Sequence, residues 1–157
     1  IDKLVKYPIS VSTSIHGDEK FHDEVTKKGA YKKIYDNICK LTSSNKLVTL
    51  HMVVMSKNFN MAEKVIIDAI RAGVRKVTFQ TLIPRGKGAN LFDDGENAYD
   101  IQEKMKLLYP LKEKYKSSIQ IDFSNLYQKS CCVVETDGCM YWEKEDREKD
   151  KLIGRLI

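Results

Sequence analysis

Long apolar runs are missing from this chain, and so is the basic-then-apolar opening of an export signal. No stretch approaches the ~20 residues needed to cross a bilayer, and the N-terminal IDKLVKYP has no hydrophobic segment behind its charges. The expectation is a cytoplasmic protein that does not enter membranes. Proline is scarce, 3 residues of 157, which excludes collagenous and Pro-rich disordered architectures. The basic loop Arg85-Gly86-Lys87-Gly88 lacks the GxxxxGK[ST] arrangement of a phosphate-cradling P-loop. His16 and His22 have no third residue spaced to complete a metal site with them.

What is present fits one globular unit. The chain is 42% hydrophobic and 31% charged, long enough for a real core. Its net charge of +5 arises from 27 basic and 22 acidic residues, interspersed in mixed-sign clusters such as Glu143 to Lys151. That pattern is a solvated surface rather than a nucleic-acid groove. The 4 cysteines are Cys39 and the cluster Cys131, Cys132 and Cys139. Without an export signal, the cluster points to redox or metal chemistry before disulfides. Ligation by these three and free thiols both remain open, since adjacent cysteines do not readily face one metal.

The organising stretch is Val74 to Asn90, VRKVTFQTLIPRGKGAN. Val77, Phe79, Thr81 and Ile83 read as a strand, Pro84 ends it, and Gly86 and Gly88 permit a tight or ligand-approaching loop. Upstream, Pro8 to Ile15 alternates as a strand before the polar His16-Gly17-Asp18. Tyr31, Ile34, Tyr35, Ile38 and Leu41 form one helical stripe, with Cys39 packed beside it. Leu47 to Met55, LVTLHMVVM, reads as a strand buried on both faces, with His51 a satisfied core histidine.

Asn60, with Glu63 three residues on, is the expected cap of a helix carrying Val65, Ile66, Ala69 and Ile70, which Gly73 stops. A further helix from about Asn97 to Lys116 carries Ile101, Met105, Leu108, Leu111 and Tyr115, and Pro110 should kink or split it. Ile119 to Phe123 is a fourth strand, and the tail from Leu126 has no clear period. The order β-α-β-α-β-α-β predicts an α/β fold with a parallel sheet, half of an eight-stranded βα barrel. Its open edges make self-association plausible.

Ser12 to Leu41 resembles the fourth strand, loop and helix of radical S-adenosylmethionine (SAM) enzymes. The matching positions are Ser14, Ile15, His16, Gly17, His22, Asp23, Gly29 and Tyr31. VTLHMVVMSKNF is similar to that family's fifth strand with its terminal Asn58, and VTFQTLIPRGKGAN to its sixth strand and loop. The resemblance covers residues 4 to 125 in order. It implies that residues 1–125 are the C-terminal part of a TIM-like βα barrel and that 126–157 begin a Cys-rich, SPASM-like extension. In that extension Cys132, Asp137-Gly138 and the LIGRL near the end match, while Trp142 stands where a second Cys is expected.

The resemblance implies a parent oxidoreductase that cleaves SAM reductively with a [4Fe-4S] cluster. Ser14 and His16, with Asn58, would line the SAM-binding mouth, and the backbone of Leu82, Ile83 and Pro84 would meet the adenine. Cys131, Cys132 and Cys139 would be auxiliary metal ligands. The family's CxxxCxxC is absent here, so this chain alone is expected to bind no cluster and to be inactive, a piece of a longer protein whose substrate is unknown. For Ser14 and Asn58, ordinary capping or turn roles stay open. His22 and Asp23 read as loop-ordering residues, and Arg85 and Lys87 as either an anion site or a solvated loop. The other reading of the whole chain is a small non-catalytic βα protein that binds a nucleotide or a partner, against which Ile1 in place of Met speaks.

Overall fold

Strand and helix periods alternate along residues 10–124, and the backbone follows them into a parallel α/β layer. In a computed structural model, residues 4–84, 90–91, 97–125, 131–135, 137–144 and 147–156 are described, apart from the side chains of 98, 131 and 147. Strands β1 (Ser10–Ser14), β2 (Leu47–Val54), β3 (Lys76–Thr81) and β4 (Gln120–Ser124) form a 4-stranded parallel sheet in the order β1-β2-β3-β4. Helices α2 (Ala30–Ser43), α3 (Ala62–Arg71), and the pair α4 (Ala98–Lys106) and α5 (Tyr109–Tyr115) supply the crossovers that parallel pairing demands.

Burial in β2 alternates. Val48, Leu50, Met52 and Val54 are buried and pack against Ile38 and Leu41 of α2 and Val65, Ile66 and Ala69 of α3. Leu47, Thr49, His51 and Val53 point the other way and are exposed or half-buried. The expectation of a strand covered on both faces is therefore wrong: the helices cover one. Crossovers of one hand between strands added in one direction place every helix on the same side.

The helical stripes are as the spacing predicts: Tyr31, Ile34, Tyr35 and Cys39 pack against the main core, as do Ile70, Leu111 and Tyr115. Gly73, at φ 73°, ends α3, and Val74 N–H returns to Ala69 O at 2.9 Å, closing a Schellman turn. Pro110 splits the long helix, falling in the first turn of α5, where its missing N–H costs nothing.

Three local expectations need correction. Helix α1 (Glu19–Val25) lies in a segment read as loop; Asp18 caps it, accepting from Phe21 N at 2.9 Å. Asn60 does not cap α3, because a 3-10 turn over Phe59–Met61 intervenes and the N-cap position is Met61, without a side-chain cap. Glu63 instead reaches across to α5, bonding Lys114 Nζ and Tyr115 Oη, both at 2.6 Å. The aperiodic tail is a 3-stranded antiparallel sheet of β5 (Cys131–Val134), β6 (Cys139–Glu143) and β7 (Lys151–Arg155). In β7 the alternation is interrupted, because pairing slips from Met140↔Gly154 to Tyr141↔Leu152, leaving Ile153 as a bulge.

Candidate ligand site at the strand ends

The carboxyl ends of β1, β2 and β3 point the same way, β2 and β3 ending in register and β1 three residues earlier, beside His51, and the loops leaving them are tied together by side chains. Beyond Ser14, Ile15 N–H still donates to His51 O at 3.0 Å. His16 N–H then donates to His22 Nδ1 at 3.1 Å. His22 is 1% exposed, and since Nδ1 accepts, its proton sits on Nε2, which has no hydrogen-bond partner among the described residues. Val53 N–H donates to His16 Nδ1 at 3.3 Å, so the two rings stack with both rings neutral, centroids 5.6 Å apart. Burial, and then His22, push the His16 imidazole down to about 4; burial also lowers His22, against the pull of Asp23.

Asp23 orders the next turn, as expected of it. Its carboxylate accepts from Tyr31 N at 2.9 Å and Gly29 N at 2.5 Å, and these bonds, Tyr31 first, hold it below the ordinary carboxylate range. A third knot involves Gly17, at φ 154°: a Cβ there would lie 2.7 Å from Met61 Sδ, so with any side chain at position 17 Met61 would have to shift where the turn out of β1 closes on the 3-10 turn after β2.

Asn58 joins those two turns. It is 0% exposed; its Nδ2 donates to His16 O at 2.8 Å and Val53 O at 2.9 Å, and its Oδ1 accepts from Met55 N at 2.7 Å. The amide is thus spent inside the protein. Ser14, half-buried at the end of β1, makes no side-chain hydrogen bond to a described residue. At the end of β3, Leu82 is anchored in a second apolar cluster with Phe21, Met55 and Ile101. The backbone amides of Leu82 and Ile83 donate to no described residue, Ile83 is half-buried and Pro84 exposed. Ser14, His16, Asn58 and Leu82–Pro84 therefore gather at one end of the sheet. The basic loop with Arg85 and Lys87 lies outside the described residues.

His51 is not the satisfied core histidine expected. It stands on the face turned away from the helices, half-buried, with Nδ1 lacking any partner among the described residues. Burial, and then Lys76, lower its pKa. In register with it run Ser14, Thr78 and Asp122, and one row over run Ser12, Thr49, Lys76 and Gln120. This polar face was open to a reading of strand parity, but the apolar neighbours of His51 in sequence obscure it.

The described thiols of the tail, Cys132 and Cys139, are not gathered. Cys132 pairs with Trp142 and is exposed, whereas Cys139 stands three residues before Trp142 and so on the opposite face of β6. The Cys131 side chain lies outside the described residues. No group of 3 or more His, Cys, Asp or Glu among the described residues is arranged to hold a metal ion, so the expected metal role of Cys131, Cys132 and Cys139 has no support here. Cys132 and Cys139, on opposite faces of the sheet, do not converge on one cluster. Nor, among the described residues, is any helix long and apolar enough to cross a membrane.

No family model matches the sequence, and no curated protein matches it. Among solved structures the fold is similar to SuiB of Streptococcus suis bound to S-adenosylmethionine, with a TM-score of 0.57 and 10% identity. The match covers 79% of this chain and 29% of that one, so this chain spans less than a third of the protein it resembles, and what the two share is an α/β fold.

Proposed function

We propose that this chain is a portion of a radical SAM enzyme, the later half of its βα barrel, and that the strand-end mouth forms part of the SAM site. The observation carrying this reading is the gathering of Ser14, His16 and Leu82–Pro84 at one end of a parallel sheet laid out in sequence order. Open α/β sheets and βα barrels bind ligands at that end. The likeness in fold to a SAM-bound protein and the ordered motifs from Ser12 to Asn90 support it.

In this reading Ser14 Oγ offers a hydrogen bond to the ribose or amino-acid part of SAM. The amides of Leu82 and Ile83, which donate to no described residue, meet the adenine edge, and Pro84 flanks it. Asn58 and His22 act as positioning residues, holding the His16 turn. A bound SAM would supply the radical chemistry, given an iron-sulfur cluster. The thiolates for that cluster would come from a CxxxCxxC outside this chain, whose 4 cysteines do not have that spacing. The tail sheet would then be the start of the extension.

Titration of the isotopically labelled 157-residue chain with SAM, read by amide NMR, tests the proposal. Saturable shifts should appear at Ser14, Ile15, Leu82 and Ile83 and leave the opposite end of the sheet unmoved. No saturable shift at these positions, or shifts elsewhere, would refute it.

A further inference from the structure

The stacked rings of His16 and His22 are wired into the backbone in a way that a proton undoes. Ile15 N–H donates to His51 O, and parallel pairing would next send Val53 N–H to Ile15 O. The His16 ring takes that bond instead, at Nδ1 and 3.3 Å, and His16 N–H goes in turn to His22 Nδ1 at 3.1 Å. Each ring is thus the acceptor of one backbone amide. A protonated imidazole carries a hydrogen on both nitrogens and accepts none, so a proton on either Nδ1 breaks the bond made there. Beyond Ile15, the hydrogen bond that then still ties this turn to the one after β2 is Asn58 Nδ2 to His16 O.

We propose that His16 and His22 are a two-proton latch: acid protonates both Nδ1 atoms together and frees the turn leaving β1 from β2 and α1, while the sheet stays folded. The cooperation follows from the geometry. The first proton must break a bond inside a buried site, and the closed stack, with centroids 5.6 Å apart, holds two charges poorly. Once the turn lets go, His16 moves off His22, water reaches both rings, and the second proton binds at an ordinary value. Among the described residues, α1 faces the pair with Asp23, which pulls His22 up, and with its cap Asp18, engaged by Phe21 N–H. From α2 comes Tyr31, edge-on to His22 at 6.0 Å, its hydroxyl donated to Asp68. On β2 stands His51, lowered by burial and then by Lys76, and the 3-10 turn Phe59–Met61 has no titratable side chain. Against the pull of Asp23, burial and the neighbouring ring hold His16 down to about 4. His16 belongs to the strand-end mouth, so opening also lets go of a ligand there; that consequence rests on the SAM reading, and the latch itself does not.

The test is NMR of the isotopically labelled whole chain, without ligand, from about pH 7.5 down to about 4. Long-range spectra of the imidazole nitrogens should show both rings as Nε2–H tautomers at the upper end. The two should then protonate along one curve, with a Hill coefficient of about 2 and a midpoint between about 4 and about 6.5. Over the same range amide exchange at His16 and Val53 should accelerate at least about tenfold relative to Val77 and Phe79 of β3, which stay protected. In His22→Asn a side-chain oxygen that does not titrate stands in for Nδ1, so the His16 amide should keep its protection and the coefficient should fall to about 1. Two separate curves with coefficients of about 1 in the unaltered chain, or protection lost at Val77 and Phe79 together with His16 and Val53, would overturn the proposal, whether or not the variant folds. Because no SAM is added, either result leaves the strand-end reading to its own titration.

Discussion

The Asn58 side chain donates to the carbonyl of His16 at 2.8 Å, across 42 positions of sequence. One buried carboxamide thereby fixes the turn leaving β1 against the turn leaving β2, and its remaining two bonds hold Val53 O and Met55 N.

Asn58→Ala should therefore strand buried backbone groups at Val53, Met55 and His16. A loss of about 3 kcal/mol in urea unfolding is expected, each orphaned group costing on the order of 1–3 kcal/mol with partial relaxation. A variant as stable as the parent chain would show that the carboxamide does not hold the turns.

Acid should weaken the fold through histidine. The folded pKa of His16 is lowered to about 4, and those of His22 and His51 are lowered too. A histidine depressed in the native state is protonated first in the unfolded chain. Its contribution is complete above the unfolded value near 6.5 and is lost as pH falls toward about 4. Stability should drop by about 1.4 kcal/mol per pH unit across that window for His16 alone. Unfolding free energies measured between pH 7 and about 4 check this, and His16→Gln should flatten the slope; an unchanged slope in that variant would assign the effect elsewhere.

Gly17→Ala should cost about 1–3 kcal/mol, since residue 17 holds a positive φ and its new Cβ would press on Met61 Sδ at 2.7 Å. The same variant should lose SAM-dependent shifts at Ser14 and Ile15, the residues its turn positions. Thermal melts and the NMR titration read the two effects separately.

Tyr31→Phe removes the 2.7 Å hydrogen bond from Tyr31 Oη to the buried Asp68 carboxylate, which keeps Lys64 at 2.5 Å. The expected loss is about 1–2 kcal/mol with no change in ligand shifts, because Asp68 faces the helix layer. Altered shifts at the strand ends would mean that this bond reaches the mouth.

Sequence alone determined the parallel α/β order and the core stripes of α2 and α3. Apolar residues at helical spacing, from Tyr31 to Leu41 and from Val65 to Ile70, have one low-energy use, and a β-α-β succession leaves few topologies. It also brought Ser14, His16, Asn58 and Leu82 to one end of the sheet, since each closes or follows a strand. Tertiary structure decided what each side chain does there. Whether Asn58 faces a ligand or its own backbone depends on groups 42 positions away, which no local pattern encodes. His51, with apolar neighbours on either side in sequence, reads as core until strand pairing sets it in a row with Ser14, Thr78 and Asp122. The last tail strand escaped detection for a related reason: a bulge at Ile153 breaks its two-residue period, and only pairing across the sheet reveals it.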